Sequence, residues 1–372
     1  MATTITQDFD PNAAKIWSKT LSVEVSNYTD IKPLIGKDSN SIIQLQDVAQ
    51  KQAGDTITYS LATELLGSGV SEGETLEGNE EAMCLLSDSL RINELRHATR
   101  MRAIGTIDRQ RLAFDIQNPA MQQLISWYGK RLSLMAFVQL CGYTSPLMFI
   151  NGREIRLSLA DKGNNEVLEP SKYNIIRPNN KNSDNELKEN DKFDLRLIDE
   201  AVLRAKTMNI KPIRLEGKDV YVMYLHPSQI KDMRTNTDTG QWLDIQKAVS
   251  YSNKNPIFDG SMGLYNGVVL RESNYITNGI DATTNGYIEN TRRAVLLGAQ
   301  AAIIGYGRSG GANRYTTKTE YFDYEHEVGI AISTLIGFKK TRFMLPNSKF
   351  GMKDFGAMVI STYADSGLPK TK

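Results

Sequence analysis

The spacing of apolar residues along this chain changes period several times, and those changes divide it into elements. From Gly54 onward, Ile57, Tyr59 and Leu61 alternate with Thr56, Thr58 and Ser60, the two-residue period of a half-buried strand. A second such run has Leu90 and Ile92 facing away from Arg91 and Asn93. Between the runs lies GSGVSEGETLEGNEEA (67–82), with four glycines, five glutamates and almost nothing to bury. Two strands joined by a long polar tip predict an arm that leaves the body of the protein. Its apolar surface is too small for independent stability, so the arm is expected to lie on something else. That points to assembly rather than catalysis.

Helical periods follow. An amphipathic helix is predicted over 13–25 from Ile16, Trp17, Leu21 and Val25, with Trp17 an anchor on this chain's own core or on a neighbour. Residues 108–117 also read as helical. Asn118–Pro119 then looks like an N-cap with proline in the first turn. Leu124, Ile125, Tyr128, Leu132, Met135 and Gln139 recur at helical spacing until Gly142 stops the run. A helix of that extent is a rod of roughly 35 Å, long enough to be the spine of a flattened subunit. Residues 151–193 are irregular, with interleaved Asn, Lys, Asp and Glu, and predict a surface insertion with a mobile tip. A compact α/β block comes next: a helix over 195–208, a buried strand over 218–225, a turn into a helix at HPSQIKDMR, and a short helix over 242–249. A strand or hairpin at MGLYNGVVLRES and a buried helix at NTRRAVLLGAQAAIIG complete it. The tail reads as long antiparallel strands returning to the spine. No internal repeat is visible.

Composition narrows the function. The chain has 372 residues, more than one core usually serves. Its 44 basic and 43 acidic residues leave a formal charge of +1, which argues against a protein that grips nucleic acid, though a neutral chain can line a DNA-filled space. Two cysteines, Cys84 and Cys141, are too few for a disulfide framework and lack metal-type spacing. No signal peptide is expected, and no apolar run approaches the ~18 residues of a membrane span.

Four groupings invite a chemical reading. GYGRSG (305–310) spells GxGxxG, but a predicted helix precedes it and SGGANRYTT cannot open one, so a loop is expected rather than a nucleotide site. Asp323, Glu325 and Glu327 would share one side of a strand beside His326. Pairing with KKTR (339–342) on the next strand explains them without a metal. His97, His226 and His326 sit in separate segments with no nucleophile motif nearby. Arg91, Arg96, Arg100 and Arg102 form a basic stripe, and the facing charge is the acidic tip: Glu72, Glu74, Glu77, Glu80 and Glu81. These are expected contact pairs between subunits, with Trp17 a further contact. No catalytic, cofactor or metal residue is expected.

The order of segments resembles the major capsid proteins of tailed bacteriophages, in particular the family named after coliphage N-four. The likeness is carried by IGKDSNSIIQ (35–44), KQAGDTITYSL (51–61), the tip (67–82), INELRHATR (92–100) and IDRQRLAFDI (107–116). It continues through IKPIRLEGKDVYVMYLHPSQIKDMR (210–234), WLDIQKAV (242–249), GLYNGVVLRES (263–273), RRAVLLGAQAA (292–302) and GFKKTRF (337–343), and departs at 151–193. It implies an α+β, Hong-Kong-97-type fold: an N-terminal arm (1–44), an extended loop (45–105), and a peripheral domain with the spine helix and a variable insertion (106–194). An axial domain (195–318) and return strands of the peripheral domain (319–372) follow. It also implies hexamers and pentamers closing an icosahedral head around double-stranded DNA, made in the bacterial host cytoplasm. The implied partners are copies of itself, a separate scaffolding protein, a portal, a decoration protein and non-specific contact with packaged DNA. No residues match the Lys–Asn cross-link of some relatives. Two alternatives stay open: an encapsulin-like nanocompartment shell, and a soluble metal- or nucleotide-dependent enzyme.

Overall fold

The computed structural model describes residues 21–47, 55–62, 69–81, 85–102, 117–215, 217–235, 263–307, 314–324, 326–344, 351–365 and 367. Trp17, Cys84, Glu325, the helix expected over 108–117 except for Gln117, and that over 242–249 lie outside them.

The long helix is present as α1 (Gln117–Leu140, 24 residues). Its end is set by Gly142, at φ +61: Gly142 N–H bonds Gln139 O (3.1 Å) and Tyr143 N–H bonds Val138 O (2.9 Å). This is the left-handed cap that glycine adopts without strain. All six residues at the predicted spacing are buried. The Tyr128 hydroxyl donates to Leu95 O (3.1 Å) and Ile332 O (2.6 Å), tying the helix to two neighbouring strands. Residues 21–27 are helical, and Leu21 and Val25 enter the same core. Tyr28 lies so close over Gly129 that a Cβ there would stand 2.5 Å from it.

One sheet has the order β1 (Ile35–Gly36), β2 (Ile43–Asp47), β16 (Ala302–Tyr306), β18 (Glu327–Lys340), β17 (Tyr315–Phe322), with β5 (Asn93–Arg102) also on β18. Both β16 and β5 pair at Ile336, while β17 and β5 both pair along 327–334. Strands sharing a partner residue occupy opposite edges, so β16 and β17 follow one another on one edge of β18 and β5 lies on the other.

The second sheet has the order β11 (Gly263–Tyr265), β12 (Val268–Glu272), β10 (Lys218–Leu225), β15 (Thr291–Leu297), β21 (Ala357–Tyr363), β8 (Ile175–Ile176), with β9 (Ile213–Leu215) also on β10. The period of two divides its residues between two cores. Val220, Val222 and Tyr224 face the core shared with α1, as do Val295, Leu297 and Val359. Tyr221, Met223 and Leu225 face the other way, onto α2 (Leu195–Thr207) and α3 (Pro227–Thr235), as do Leu296 and Met358. The hairpin β11–β12 turns at Asn266 (φ 46) and Gly267 (φ 73), the Asn-Gly pair such a turn favours.

Three expectations need correction. The stretch read as a buried helix over 290–305 is two strands, β15 and β16, in different sheets. Gly298 lies at the break, where a Cβ would stand 2.4 Å from Lys211 O. The turn's N–H groups are satisfied from outside: Ala299 by Lys211 O, Gln300 by Ser41 O and Ala301 by Ile42 O, each at 2.8 Å.

Residues 151–193 are not confined to the surface as expected. After the hairpin of β6 (Leu147–Ile150) and β7 (Arg153–Arg156), the segment buries Asp161, Asn164, Asn165, Asn174, Asp184 and Asp191. Asp184 accepts from Arg293 Nε (2.9 Å) and Nη2 (2.7 Å), from Arg177 (2.7 Å), and from the Ile280 N–H (3.1 Å) beside the ribbon β13 (Gly279–Ile280)–β14 (Tyr287–Ile288). Burial raises its carboxyl pKa, but Arg293 and Arg177 more than offset that and hold it below the usual range. Polar composition here marks internal wiring rather than exposure.

Third, Asp323 and Glu327 do not share one side of a strand. Asp323 (φ 50) and Tyr324 (φ 52) make the turn between β17 and β18, and Glu327 begins β18 against Arg100 and Arg102. The KK of KKTR sits at the far end of that same strand. Lys340 and Arg342 pair there with Asp354 at 3.0 and 2.9 Å, where β19 (Arg342–Met344) meets β20 (Met352–Asp354).

Sheet membership also crosses the boundaries expected at 194 and 318. β8, before residue 194, joins the second sheet; β16, before residue 318, joins the first, β17 spans 318, and β21, after it, joins the second.

Candidate assembly surface

The predicted arm is β3 (Thr56–Ala62) paired antiparallel with β4 (Leu85–Arg91), with Ile57 opposite Leu90, Tyr59 opposite Asp88 and Leu61 opposite Leu86. The period of two puts these six on one face, while Thr56, Thr58, Ser60, Ser87, Ser89 and Arg91 are exposed on the other. The inner face rests on the chain's own body. Tyr59 and Leu90 form a cluster with Ile303 of β16, Phe343 and Phe355, and Tyr59 meets Phe343 edge-on with ring centres 6.2 Å apart. Gly305 supplies the clearance: a Cβ there would stand 2.6 Å from Leu90 and 2.7 Å from Ile57. Gly305 and Gly307 of GYGRSG therefore have a packing reason, a Cβ on Gly307 standing 2.8 Å from Leu335. A strand runs into the motif, not the helix expected, and the next described element is the strand β17.

Asp88 is a carboxylate on an otherwise apolar face, and it fixes the seat. It accepts from the Tyr59 hydroxyl (2.8 Å) and from Lys339 Nζ (2.6 Å), which also donates to Ser89 O (2.9 Å). Burial, with Asp88 alongside, pushes the Tyr59 phenol far above its ordinary pKa, so it stays a donor. The arm then bends into β5 at Ile92, whose N–H bonds Asp55 O (2.7 Å). Asn165 clamps this bend. Its Oδ1 accepts from the Arg91 N–H (2.9 Å), and its Nδ2 donates to Arg91 O (3.0 Å), Gly163 O (2.7 Å) and Phe338 O (3.3 Å). Sequence reasoning missed Asn165, and it read Lys339 only as a partner for the 323–327 carboxylates and Gly305 only as part of a loop. Only Asp88 left a signal, an acid at an inward position between Leu86 and Leu90.

Beyond the seat the arm is exposed. Residues 71–81 form turns in solvent, with Gly69, Gly73 and Gly78 at φ of 70, 94 and 91. Glu74 closes its own turn on the Ser71 N–H (2.9 Å), and Glu80 on the Gly78 N–H (2.8 Å). Glu72, Glu77 and Glu81 are exposed on the same tip.

The basic stripe runs from the bend along β5, with Arg91, Arg96, Arg100 and Arg102 all exposed. Within the chain Arg91 faces Asp55 (3.4 Å), Arg96 faces Glu94 (3.6 Å) and Arg100 meets Glu327 and covers the Phe322 ring at 4.1 Å. The first two pairs are more exposed than buried, so each contributes at most about 1 kcal/mol and leaves the cation open to a competing carboxylate. Between the arginines His97 stacks on Trp127 at 4.1 Å, and Arg131 lies over the same ring. Burial, then Arg131, lowers the His97 pKa. The other histidines are apart: His226 follows β10 and is held by Ser228, and His326 lies in the β17–β18 turn. Among the described residues no group of three or more His, Cys, Asp or Glu could hold a metal ion, and no helix is long and apolar enough to cross a membrane. Cys141 is buried, with its thiol on Arg293 O (3.3 Å).

Comparison with known proteins covers almost the entire chain. Residues 5–366 match a family described as phage capsid protein. The chain is 24% identical over 366 residues to the major capsid protein of Pseudomonas phage KPP25, spanning 94% of each. Its fold is similar to the capsid of Ralstonia phage GP4, with a TM-score of 0.79, 27% identity, and coverage of 99% of this chain and 100% of that one. The capsid of cyanophage Pam1 shares the fold at a TM-score of 0.59 and 18% identity, over 92% and 93% of the two chains.

Proposed function

The chain belongs to the phage capsid protein family and is a major capsid protein with the Hong Kong-type fold; from that premise we propose how it closes a shell. Copies associate as hexamers and pentamers into the icosahedral head of a tailed phage, around double-stranded DNA. The protein is a component of the virion, assembled in the bacterial host cytoplasm with a separate scaffolding protein, a portal and a decoration protein. Residues 1–44 act as the N-terminal arm and 45–105 as the extended loop. Residues 106–194 and 319–372 form the peripheral domain, and 195–318 the axial domain. The observation that carries this reading is end-to-end likeness to the Ralstonia phage GP4 capsid together with an arm whose base is seated and whose tip is not.

In this arrangement the tip lies on the basic stripe of a neighbouring copy. Glu72, Glu74, Glu77, Glu80 and Glu81 meet Arg91, Arg96, Arg100 and Arg102, and Trp17 anchors on a neighbour. Weak intrachain pairing of Arg91 and Arg96 favours this, because little is lost there when a second carboxylate arrives. The near-neutral chain touches packaged DNA without gripping it.

The test is charge exchange. Changing Glu72, Glu74 and Glu77 to Lys should abolish closed shells in sedimentation and negative-stain images, as should Arg96→Glu with Arg102→Glu. Combining the two sets should restore shells. Undiminished assembly by the tip variant would remove the tip–stripe contact and leave the capsid reading standing. A wild-type chain that stays monomeric beside its scaffolding and portal proteins would overturn the capsid reading.

A further inference from the structure

A cavity of about 590 Å³ opens between the start of α2 and the end of α3. Its lining is charged and polar, including Glu189, Asn190, Lys192, Asp194, Arg196 and Asp232. Two carboxylate oxygens on its wall, Asp194 Oδ1 and Asp232 Oδ2, are buried and have no hydrogen-bond partner among the described residues. Asp232 is only 7% exposed. The other Asp194 oxygen is held at 2.8 Å by Arg196, whose side chain is largely exposed. A buried carboxylate without a donor costs free energy that a cavity-filling cation would recover. Glu189 also lines the cavity, but among the described residues no group of three or more His, Cys, Asp or Glu could hold a metal ion, so the site suits a group that brings its own N–H donors better than a bare metal ion.

We propose that this cavity binds a cationic nitrogen group, an ammonium or guanidinium, donating to Asp194 Oδ1 and Asp232 Oδ2. Two sources share that chemistry: a small soluble amine, and a lysine or arginine side chain of a second copy. The site is gated by pH. Burial pushes the Asp232 carboxyl up to about 6, against Lys192 and Lys231, which pull it down, and with Asp365, which pushes it further up. Glu189, Asp194 and Arg196 are the other charges on the cavity wall. An arriving cation takes Asp232 in its ionised form, so affinity is half its maximum near pH 6, approaches full a unit or more above it, and falls about tenfold per pH unit well below it.

The experiment uses the full chain in its unassembled state, with ethylenediamine as probe and NaCl of equal ionic strength as control, read by thermal unfolding at pH 7.5 and 5. Asp232→Asn keeps the shape and removes an unpaired buried charge, so the variant should fold at least as well as the wild type. The diamine should raise the wild-type midpoint at pH 7.5, with at least tenfold weaker effect at pH 5 and none in Asp232→Asn. Equal response of variant and wild type would overturn the proposal. So would a stronger Asp232-dependent response to Mg²⁺, which would make the site a metal site. Shell assembly of the variant then assigns the source: impaired assembly means the amine stands in for a side chain of a second copy, and normal assembly means a soluble amine is the ligand. The capsid reading is unaffected by either failure.

Discussion

Asn165 carries the attachment of the arm, and its removal gives the sharpest test of the seat. The Asn165→Ala variant leaves the Arg91 N–H and C=O without their partners and takes a donor from Gly163 O and Phe338 O. Three good bonds at about 1 kcal/mol each give about 3 kcal/mol, and water reaching the Arg91 side reduces this to about 2–3 kcal/mol. Asn165→Asp keeps the acceptor for the Arg91 N–H but turns a second oxygen toward three carbonyls, so it should cost about 1–2 kcal/mol more. The loss is local to the bend, and limited trypsinolysis of the unassembled chain can read it. Cleavage after Arg91 requires the bend to open, and 2 kcal/mol of lost protection raises its rate about 30-fold. The prediction is faster cleavage there in both variants, with Asp above Ala, and a parallel drop in shell yield. Cleavage after Arg91 within twofold of wild type would refute the clamp, as would Asp outperforming Ala.

Two further outcomes follow from buried charge and backbone strain. Arg293→Met strips Asp184 of its main partner, so it should cost about 3–5 kcal/mol in urea unfolding at pH 7, and adding Asp184→Asn should recover part of the loss. Because the folded-state pKa of Asp184 is depressed, its stabilisation is present above the ordinary carboxylate value of about 4 and is lost as pH falls through the lower folded value. The gap between wild type and Arg293→Met should therefore narrow below pH ~4, and a gap independent of pH would contradict the pairing. Tyr324 is fully exposed at φ 52, a conformation that suits glycine, so Tyr324→Gly should raise unassembled-subunit stability by about 0.5–1 kcal/mol. A destabilised variant would mean that the ring has a partner within the subunit.

Local patterns fixed much of this fold. The alternation of Ile57, Tyr59 and Leu61 with threonines and a serine is sufficient to specify a strand with one wet face. The recurrence from Leu124 to Gln139 is sufficient for a long helix, and Asn266–Gly267 for a hairpin. In each, the relevant contacts repeat within a few residues, so the period alone carries the information. The stretch 290–305 is different. A run apolar on every side fits a buried helix and a strand covered on both faces equally well, and only the placement of Lys211, Ser41 and Ile42 decides for two strands.

The same limit explains the seat of the arm and the wiring of 151–193. Asp184 and Arg293 are 109 residues apart, Lys339 and Asp88 are 251, and Asn165 and Arg91 are 74. Their types show only that each wants a charged or polar partner, and many partners of the right kind exist along the chain. The sequence by itself determined that an arm leaves the body and carries an acidic tip, because both depend on neighbouring residues. Tertiary structure alone decided that the arm's base is locked by Asp88, Lys339 and Asn165 over the gap left by Gly305. Satisfying a buried polar group is a property of the space around it, and that space is assembled only when distant segments meet.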